Sequence, residues 1–161
     1  MANIYLNITL ISSQLPAGVM GALYAFAALT LAWRCGRWRI WVTWRVPLLW
    51  SLHLAYWMIP FGLALFALRE FGVTSITTST ALHALTAGAG GNMILAMLAR
   101  VSLGHSGRPL QPKPIMSAAF MLVILAALTR VLLLWLFPAM TMIGLIIAAG
   151  AWIVAYAIYV V

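Results

Sequence analysis

The chain alternates between long apolar runs and short polar connections. Each run has about 20 residues, and a helix of that length, with a rise of about 1.5 Å per residue, crosses the hydrocarbon core of a bilayer. Lipid offers no hydrogen-bond partner to bare backbone groups, so these runs are predicted to be helices rather than barrel strands. The pattern predicts five transmembrane helices, at approximately residues 15–33, 46–68, 76–99, 115–137 and 139–161.

The composition agrees with an integral membrane protein. The 161 residues are 66% hydrophobic and 6% charged, whereas about a quarter of the residues in a soluble domain are charged. Five spans of about 20 residues use most of the length, which leaves no room for a separate soluble domain. The predicted fold class is therefore all-α: a bundle of five transmembrane helices that forms a single domain over residues 1–161.

The positions of the basic residues predict how the bundle is oriented. Bases cluster in the first and third connections, Arg69 in the second stands beside the only acid, Glu70, and the fourth connection has no charge. Because basic connections stay in the cytoplasm, we expect the N-terminus outside and the C-terminus in the cytoplasm. The bases of the first and third connections are Arg34, Arg37, Arg39, Arg45, Arg100, Arg108 and Lys113.

The net charge of +8 predicts contact with anionic lipid headgroups. In residues 33–45, WRCGRWRIWVTWR, arginine alternates with tryptophan, a mixture that also occurs in proteins whose aromatic rings stack on nucleic acid bases. Tryptophan and arginine are equally typical of the headgroup layer of a membrane. In so apolar a chain we favour the membrane interpretation and expect no nucleic-acid partner.

The usual catalytic residue sets are missing from the sequence. A single acid excludes a pair of catalytic carboxylates, and no acid is available inside the membrane for a Ser-His-Asp triad. The single cysteine, Cys35, excludes a CxxC zinc site and the CxxCH attachment motif of a c-type haem. We therefore predict no catalytic residues, and a non-enzymatic role is favoured over an enzymatic one.

His53 is the first polar residue that calls for an explanation, because it lies within the second apolar run. Trp50, Tyr56 and Trp57 lie at spacings that bring them to the same side of a helix. The imidazole could ligate haem iron or copper between these aromatic rings. Alternatively, it could donate a hydrogen bond to a neighbouring helix or to Tyr56.

His83 lies in the third run, on a face of small and hydroxyl-bearing residues. Such a face allows another helix, or a flat macrocycle, to approach the backbone. Both ligation of a metal and plain helix packing explain this arrangement. We expect His83 and His53 to be staggered in depth by about 10 Å, so two separate sites or a tilted haem are favoured over one shared metal. The small and hydroxyl-bearing residues are Ser79, Thr80, Thr86, Ala87 and Gly90.

Arg130 lies inside the fourth run, where no acid of the chain can pair with it. It could reach the membrane surface or Glu70. Counted from the helix ends, however, it lies at the depth of His83, and the pair could hold a haem propionate or another small anion. Asn92 lies at the depth of His53 and is predicted to orient that ring.

The polar loop RVSLGHSGRPLQPKP, residues 100–114, has a topological explanation. Gly104 is predicted to end the third helix in a left-handed conformation, and Pro114 to begin the fourth. Arg100 and Arg108 would anchor the cytoplasmic face. This explanation does not account for His105.

The same loop resembles the signature of a known family. RVSLGHSGRPLQP, residues 100–112, is similar to a motif of the NnrS family, bacterial inner-membrane proteins that contain haem and copper and act in the response to nitric oxide and nitrosative stress. Residues 45–65, RVPLLWSLHLAYWMIPFGLAL, and 81–109, ALHALTAGAGGNMILAMLARVSLGHSGRP, resemble the C-terminal half of that family in the same order. These stretches cover about a third of the chain, and the flanking helices fit in hydropathy only.

The resemblance implies an inner-membrane protein that binds haem b or copper and takes part in nitric oxide handling. His53 and His83 fall on the histidine-bearing helices of the family and are the implied metal ligands, with Tyr56, Asn92 and Arg130 as further cofactor contacts. The implied residues of the signature loop are Arg100, Gly104, His105, Gly107 and Arg108.

The chain also departs from the family. The family has more helices, and its N-terminal half carries a WHxHE-like motif that does not occur in this sequence. This favours an alternative, a non-catalytic accessory subunit packed on a larger respiratory or nitrogen-oxide membrane complex. Missing helices would leave an open face, so we expect another membrane subunit or a homo-oligomer as partner. A small transporter or proton relay is the least favoured hypothesis, because the chain has a single acid.

Overall fold

A computed structural model describes residues 16–160, and every regular element in this range is helical. Five helices are long and apolar enough to cross a membrane, which confirms the predicted fold class. A short helix, α2, lies in the first connection. The elements are α1 (Ala17–Gly36), α2 (Ile40–Thr43), α3 (Pro47–Glu70), α4 (Thr78–His105), α5 (Pro114–Leu136) and α6 (Pro138–Val160).

Local sequence signals explain where the helices begin and end. Pro47 and Pro114 occupy the first turns of α3 and α5, where a missing N–H costs no hydrogen bond. The Thr77 side chain accepts a hydrogen bond of 3.1 Å from the Thr80 amide and caps α4. The predicted end of α4 at Gly104 is wrong: α4 continues to His105, and Gly107 has the left-handed conformation, with φ +65°.

The helices α3, α4 and α5 form the centre of the bundle, with α1 packed against α3 and α6 against α5. Consecutive long helices are antiparallel. Tyr24, near the start of α1, stacks on Phe66, near the end of α3, with ring centroids 5.3 Å apart. The Asn92 amide on α4 likewise reaches the Ser51 carbonyl near the start of α3.

This alternation gives the bundle two different ends. We call the end that holds residues 37–46 and 106–113 the basic end, because Arg37, Arg39, Arg45, Arg108 and Lys113 lie there. The other end, with residues 71–77 and the α5–α6 junction, is the neutral end. The prediction that the basic end faces the cytoplasm remains a prediction.

Two of the central helices widen into π-helical turns. Ala84–Gly91 in α4 and Thr129–Leu133 in α5 are both π-helical. Such turns contain an extra residue, rotate the side chains that follow, and are frequent at functional sites. The first begins directly after His83 and the second contains Arg130. A helix wheel with 3.6 residues per turn therefore assigns the wrong face to part of α4.

Glycines in the π-helical part of α4 allow close helix contacts. A Cβ built on Gly88 would lie 2.5 Å from Cε of Met58 on α3, and one on Gly91 would overlap the indole ring of Trp152 on α6. Gly91 also accepts a hydrogen bond of 2.9 Å from the Tyr156 hydroxyl through its carbonyl. Gly91 is therefore one of the points at which α6 is fixed to the centre of the bundle.

This contact generates a first prediction. Gly91→Ala should destabilise the bundle by about 1–3 kcal/mol, because a rigid indole cannot move away without repacking α6. Gly150→Ala is the matched control, since a Cβ there meets nothing within 4 Å. Thermal unfolding in detergent measures both. Equal stability of the two variants would contradict the packing described here.

Candidate functional site

Arg130 and His83 contact each other between the central helices α4 and α5. A terminal nitrogen of the Arg130 guanidinium lies 3.2 Å from Nε2 of His83, and both side chains are partly buried. The prediction that the two residues lie at the same depth is confirmed. Their assignment to cofactor binding remains a prediction.

The surroundings of His83 define which of its ring nitrogens carries the proton. Nδ1 lies 2.6 Å from the Ser79 carbonyl oxygen, which can only accept, so Nδ1 carries the hydrogen and donates it. Nε2 is then the unprotonated nitrogen and accepts a hydrogen bond from Arg130. The lone pair that would ligate a metal is therefore occupied by the guanidinium, and metal binding at His83 requires Arg130 to move.

The Arg130–His83 pair separates two clefts of opposite character. A polar cleft of about 300 Å³ opens at the neutral end and is lined by hydroxyl-bearing residues. An apolar cleft of about 410 Å³ lies deeper, between α4, α5 and α6. The polar cleft is lined, besides the pair, by Ser75, Thr77, Ser79, Thr80, Leu134, Pro138 and Thr141. The apolar cleft is lined, besides the pair, by Ala87, Ala126, Leu145, Ala148, Ala149, Trp152 and Ile153.

His53 lies near the basic end, against the short helix α2. Its Nδ1 is 3.0 Å from the Thr43 hydroxyl oxygen, which also lies 3.1 Å from the Ile40 carbonyl oxygen. If the single hydroxyl hydrogen goes to that carbonyl, Nδ1 of His53 is the donor to Thr43. Nε2 has no hydrogen-bond partner among the described residues, so its lone pair is free.

The aromatic rings around His53 differ from the predicted set. Tyr56 is present, but its ring packs on Trp38 with centroids 4.7 Å apart, and Trp38 also lies 5.4 Å from the His53 ring. Trp50 instead packs edge-on against Phe120 in the core, and Trp57 is exposed. The prediction that Trp50 and Trp57 frame His53 is therefore wrong.

A cleft of about 520 Å³ adjoins His53 and is mostly apolar. Met93 on α4 also lines the cleft. Arg34 places its guanidinium carbon 5.8 Å from the centre of the Trp38 ring, so a cation flanks the ring that borders the cleft. The lining residues are Trp38, Thr43, Leu49, Leu52, His53, Tyr56 and Met93.

Sequence reasoning missed Trp38, Thr43 and Met93. The first two lie in the connection that we assigned to the membrane surface, and their distance from His53 along the chain gave no signal. Met93 could have been predicted, since its neighbour Asn92 was placed at the depth of His53. Methionine in an apolar run is ordinary packing material, however, and did not stand out.

Asn92 is fully buried but does not orient His53. Its amide nitrogen donates to the Ser51 carbonyl oxygen at 2.8 Å and joins α4 to α3. Its Oδ1 has no hydrogen-bond partner among the described residues. The predicted role as a positioner of the His53 ring is therefore wrong, and a role in cofactor binding remains a prediction.

The two histidines do not share a site. The Asn92–Ser51 contact sets the register of α4 against α3. Counting from it at about 1.5 Å per residue gives a stagger between His53 and His83 of roughly 10 Å, as predicted. They line different clefts, and within residues 16–160 no three His, Cys, Asp or Glu side chains come together as a metal site.

The signature loop lies at the basic end, away from both histidine clefts. Arg100, Gly104 and His105 belong to the last turns of α4, and the Arg108 amide closes the helix end on the Leu103 carbonyl at 3.1 Å. Gly107 forms the turn. These contacts agree with the topological explanation of the loop, and its part in a cofactor site remains a prediction.

A double-mutant cycle tests the Arg130–His83 hydrogen bond. Arg130→Met and His83→Phe should show a coupling energy of about 1–2 kcal/mol, because each single variant removes one partner of a charge-assisted bond between two helices. Unfolding in detergent gives the four stabilities. Arg69→Met combined with His83→Phe should show no coupling, since Arg69 pairs with Glu70 at 2.7 Å. Additive effects of Arg130→Met and His83→Phe would contradict the contact.

Comparisons with known proteins extend the likeness that the motifs suggested. A family model described as NnrS protein matches residues 1–161, and so includes the flanking helices α1, α5 and α6 as well as the motif-bearing α3 and α4. No curated protein and no solved structure matches the chain. The match of the family model covers the whole sequence, and the chain belongs to the NnrS family.

Proposed function

We propose that this membrane protein binds a metal cofactor, haem b or copper, at His53, and that it takes part in nitric oxide handling in a bacterial inner membrane. The observation that supports the proposal best is the free Nε2 of His53, which borders a mostly apolar cleft of about 520 Å³. Ligand clefts of this kind are typically apolar with a few polar groups that fix orientation. Family membership supplies the biological context.

The donors around His53 fit both cofactors. The imidazole nitrogen and the Met93 thioether are the ligand types that copper prefers, and haem iron is also held by histidine or by histidine with methionine. The rings of Trp38 and Tyr56 give the cleft flat apolar walls suited to a macrocycle. Arg34, stacked on Trp38, is the nearest candidate for holding a propionate.

Several residues of the cleft have distinct parts in this proposal. With its own hydroxyl hydrogen on the Ile40 carbonyl, Thr43 would accept the Nδ1 hydrogen of His53, which would fix the ring and leave Nε2 unprotonated. Trp38 and Tyr56 line the cleft beside the imidazole. When bound, the metal supplies the site at which a diatomic ligand such as nitric oxide coordinates. At His83 the guanidinium of Arg130 occupies Nε2, so His53 is the favoured ligand.

The optical spectrum of the mildly solubilised protein, oxidised and reduced, tests the proposal together with a measurement of bound copper. His53→Ala should abolish the haem spectrum or the bound copper, because it removes the free imidazole nitrogen. Met93→Leu, which keeps the volume but removes the sulfur, should weaken copper retention and shift the spectrum. His105→Ala separates the cleft from the signature loop: His105 is exposed and lies outside the cleft, so this variant should retain the cofactor, and its loss there would make the loop part of the site.

A colourless, copper-free protein would contradict the proposal. If such a protein also co-purified with a larger membrane complex, the accessory-subunit hypothesis would replace it. Loss of the cofactor in His83→Ala but not in His53→Ala would move the ligand to α4 and would require Arg130 to leave Nε2.

A further inference from the structure

Arg130 carries a charge that no acid of this chain neutralises. The only acid in the sequence, Glu70, accepts a hydrogen bond of 2.7 Å from Arg69, with which it forms a salt bridge. The one hydrogen-bond partner of Arg130 among the described residues is His83, a neutral ring. A cation within a membrane span is costly unless an anion or water accompanies it. Because no acid of the chain is available, an anion or water from outside the chain must accompany Arg130.

The remaining donors of Arg130 are directed into open space rather than into packed protein. A guanidinium has five N–H donors, and the contact with His83 uses one of them. The buried side-chain atoms without a partner in the described residues do not include an Arg130 nitrogen. The unused nitrogens are therefore accessible, and Arg130 lines both clefts that adjoin it.

The polar cleft beside Arg130 presents donors and has no carboxylate. Ser75 accepts a hydrogen bond of 3.1 Å from the Trp135 indole, and its own hydroxyl hydrogen has no acceptor within residues 16–160. Nδ1 of His83 supplies the hydrogen for its contact with the Ser79 hydroxyl, so the hydroxyl hydrogen of Ser79 also has no acceptor in the part of the chain that the structure describes. Two hydroxyl donors and a guanidinium thus border a space of about 300 Å³.

We propose that the polar cleft binds a small oxyanion on Arg130, with Ser75 and Ser79 as further donors. A guanidinium offers two parallel N–H groups, which match the two oxygens of a carboxylate, nitrite or nitrate group. His83 positions the guanidinium by accepting one of its hydrogens. This site is independent of the cofactor proposed at His53, since it uses different residues in a different cleft.

The oxyanion can come from two sources with the same chemistry. It can be a free small anion that enters from the neutral end, or the phosphate group of an anionic lipid whose chain lies along the apolar cleft. The volume of about 300 Å³ and the hydroxyl lining favour the free anion. The experiment below separates the two sources.

The first arm uses metal-free protein in nanodiscs of zwitterionic phosphatidylcholine. Sodium nitrate is exchanged for sodium chloride at constant ionic strength, and the midpoint of thermal unfolding is recorded. We expect a saturable rise in the midpoint, because a ligand that binds only the folded state stabilises it. Arg130→Gln should raise the half-saturating nitrate concentration at least roughly 10-fold. Arg130→Lys should give a value between those of the unaltered protein and Arg130→Gln, because lysine keeps the charge but lacks the two parallel N–H donors of a guanidinium.

Arg69→Gln is the matched control, since Arg69 is also near the neutral end but lines neither cleft. It should leave nitrate binding unchanged.

In the second arm, native mass spectrometry follows phosphatidylglycerol retained through detergent exchange. If the unaltered protein does not bind nitrate but retains phosphatidylglycerol, and Arg130→Gln loses that lipid, the oxyanion site is supported with the lipid as its source. If neither nitrate nor phosphatidylglycerol binding depended on Arg130, the proposal would be overturned. A colourless protein would not affect this test.

Discussion

The hydrogen bond between Arg130 and His83 is the interaction on which the centre of this bundle depends. A guanidinium inside an apolar helix bundle needs an acceptor, and a neutral histidine on the neighbouring helix supplies one. For this acceptor to exist, Nδ1 must carry the hydrogen, and the Ser79 carbonyl holds it there. The His83 ring therefore joins the two helices through two hydrogen bonds: it donates from Nδ1 to the backbone of α4 and accepts at Nε2 from the Arg130 guanidinium on α5.

The backbone is shaped around this contact. The π-helical stretch of α4 begins directly after His83 and that of α5 contains Arg130, and the extra residue in each stretch changes the face that the following side chains present. In α4 this leaves Gly88 and Gly91 against Met58 and Trp152. The close packing of α3 and α6 on α4 is thus coupled to the same local geometry that brings His83 to Arg130.

The clefts near the two ends of the bundle also differ in the chemistry of the residues that line them. Near the basic end, His53 borders an apolar cleft with Met93 and aromatic rings, a set of donors suited to a soft metal or a haem. Near the neutral end, Arg130 borders hydroxyl groups, a set of donors suited to an anion. The stagger of roughly 10 Å separates the two proposed sites, so a variant of one should not disturb the other.

Hydropathy was sufficient to predict the five spanning helices, because the cost of bare backbone in lipid leaves few alternatives. Depth counting was sufficient to bring Arg130 and His83 together. The set of residues around His53 was not predictable, since it depends on how the first connection folds back over α3. The π-helical turns also escaped prediction, because a fixed period of 3.6 residues cannot represent them. Asn92 shows the limit of depth counting: its depth was correct, but its amide is directed at Ser51.

The most direct test of this account is the protonation state of His83 in lipid bilayers, measured by ¹⁵N magnetic resonance on histidine- and arginine-labelled protein. We predict a neutral ring with hydrogen on Nδ1, and a coupling across the hydrogen bond between Arg130 and Nε2 that disappears in Arg130→Gln. The His83 signals are assigned by their loss in His83→Gln. A His83 ring with hydrogen on Nε2, or with hydrogen on both nitrogens, would contradict the account, because it could not accept from Arg130.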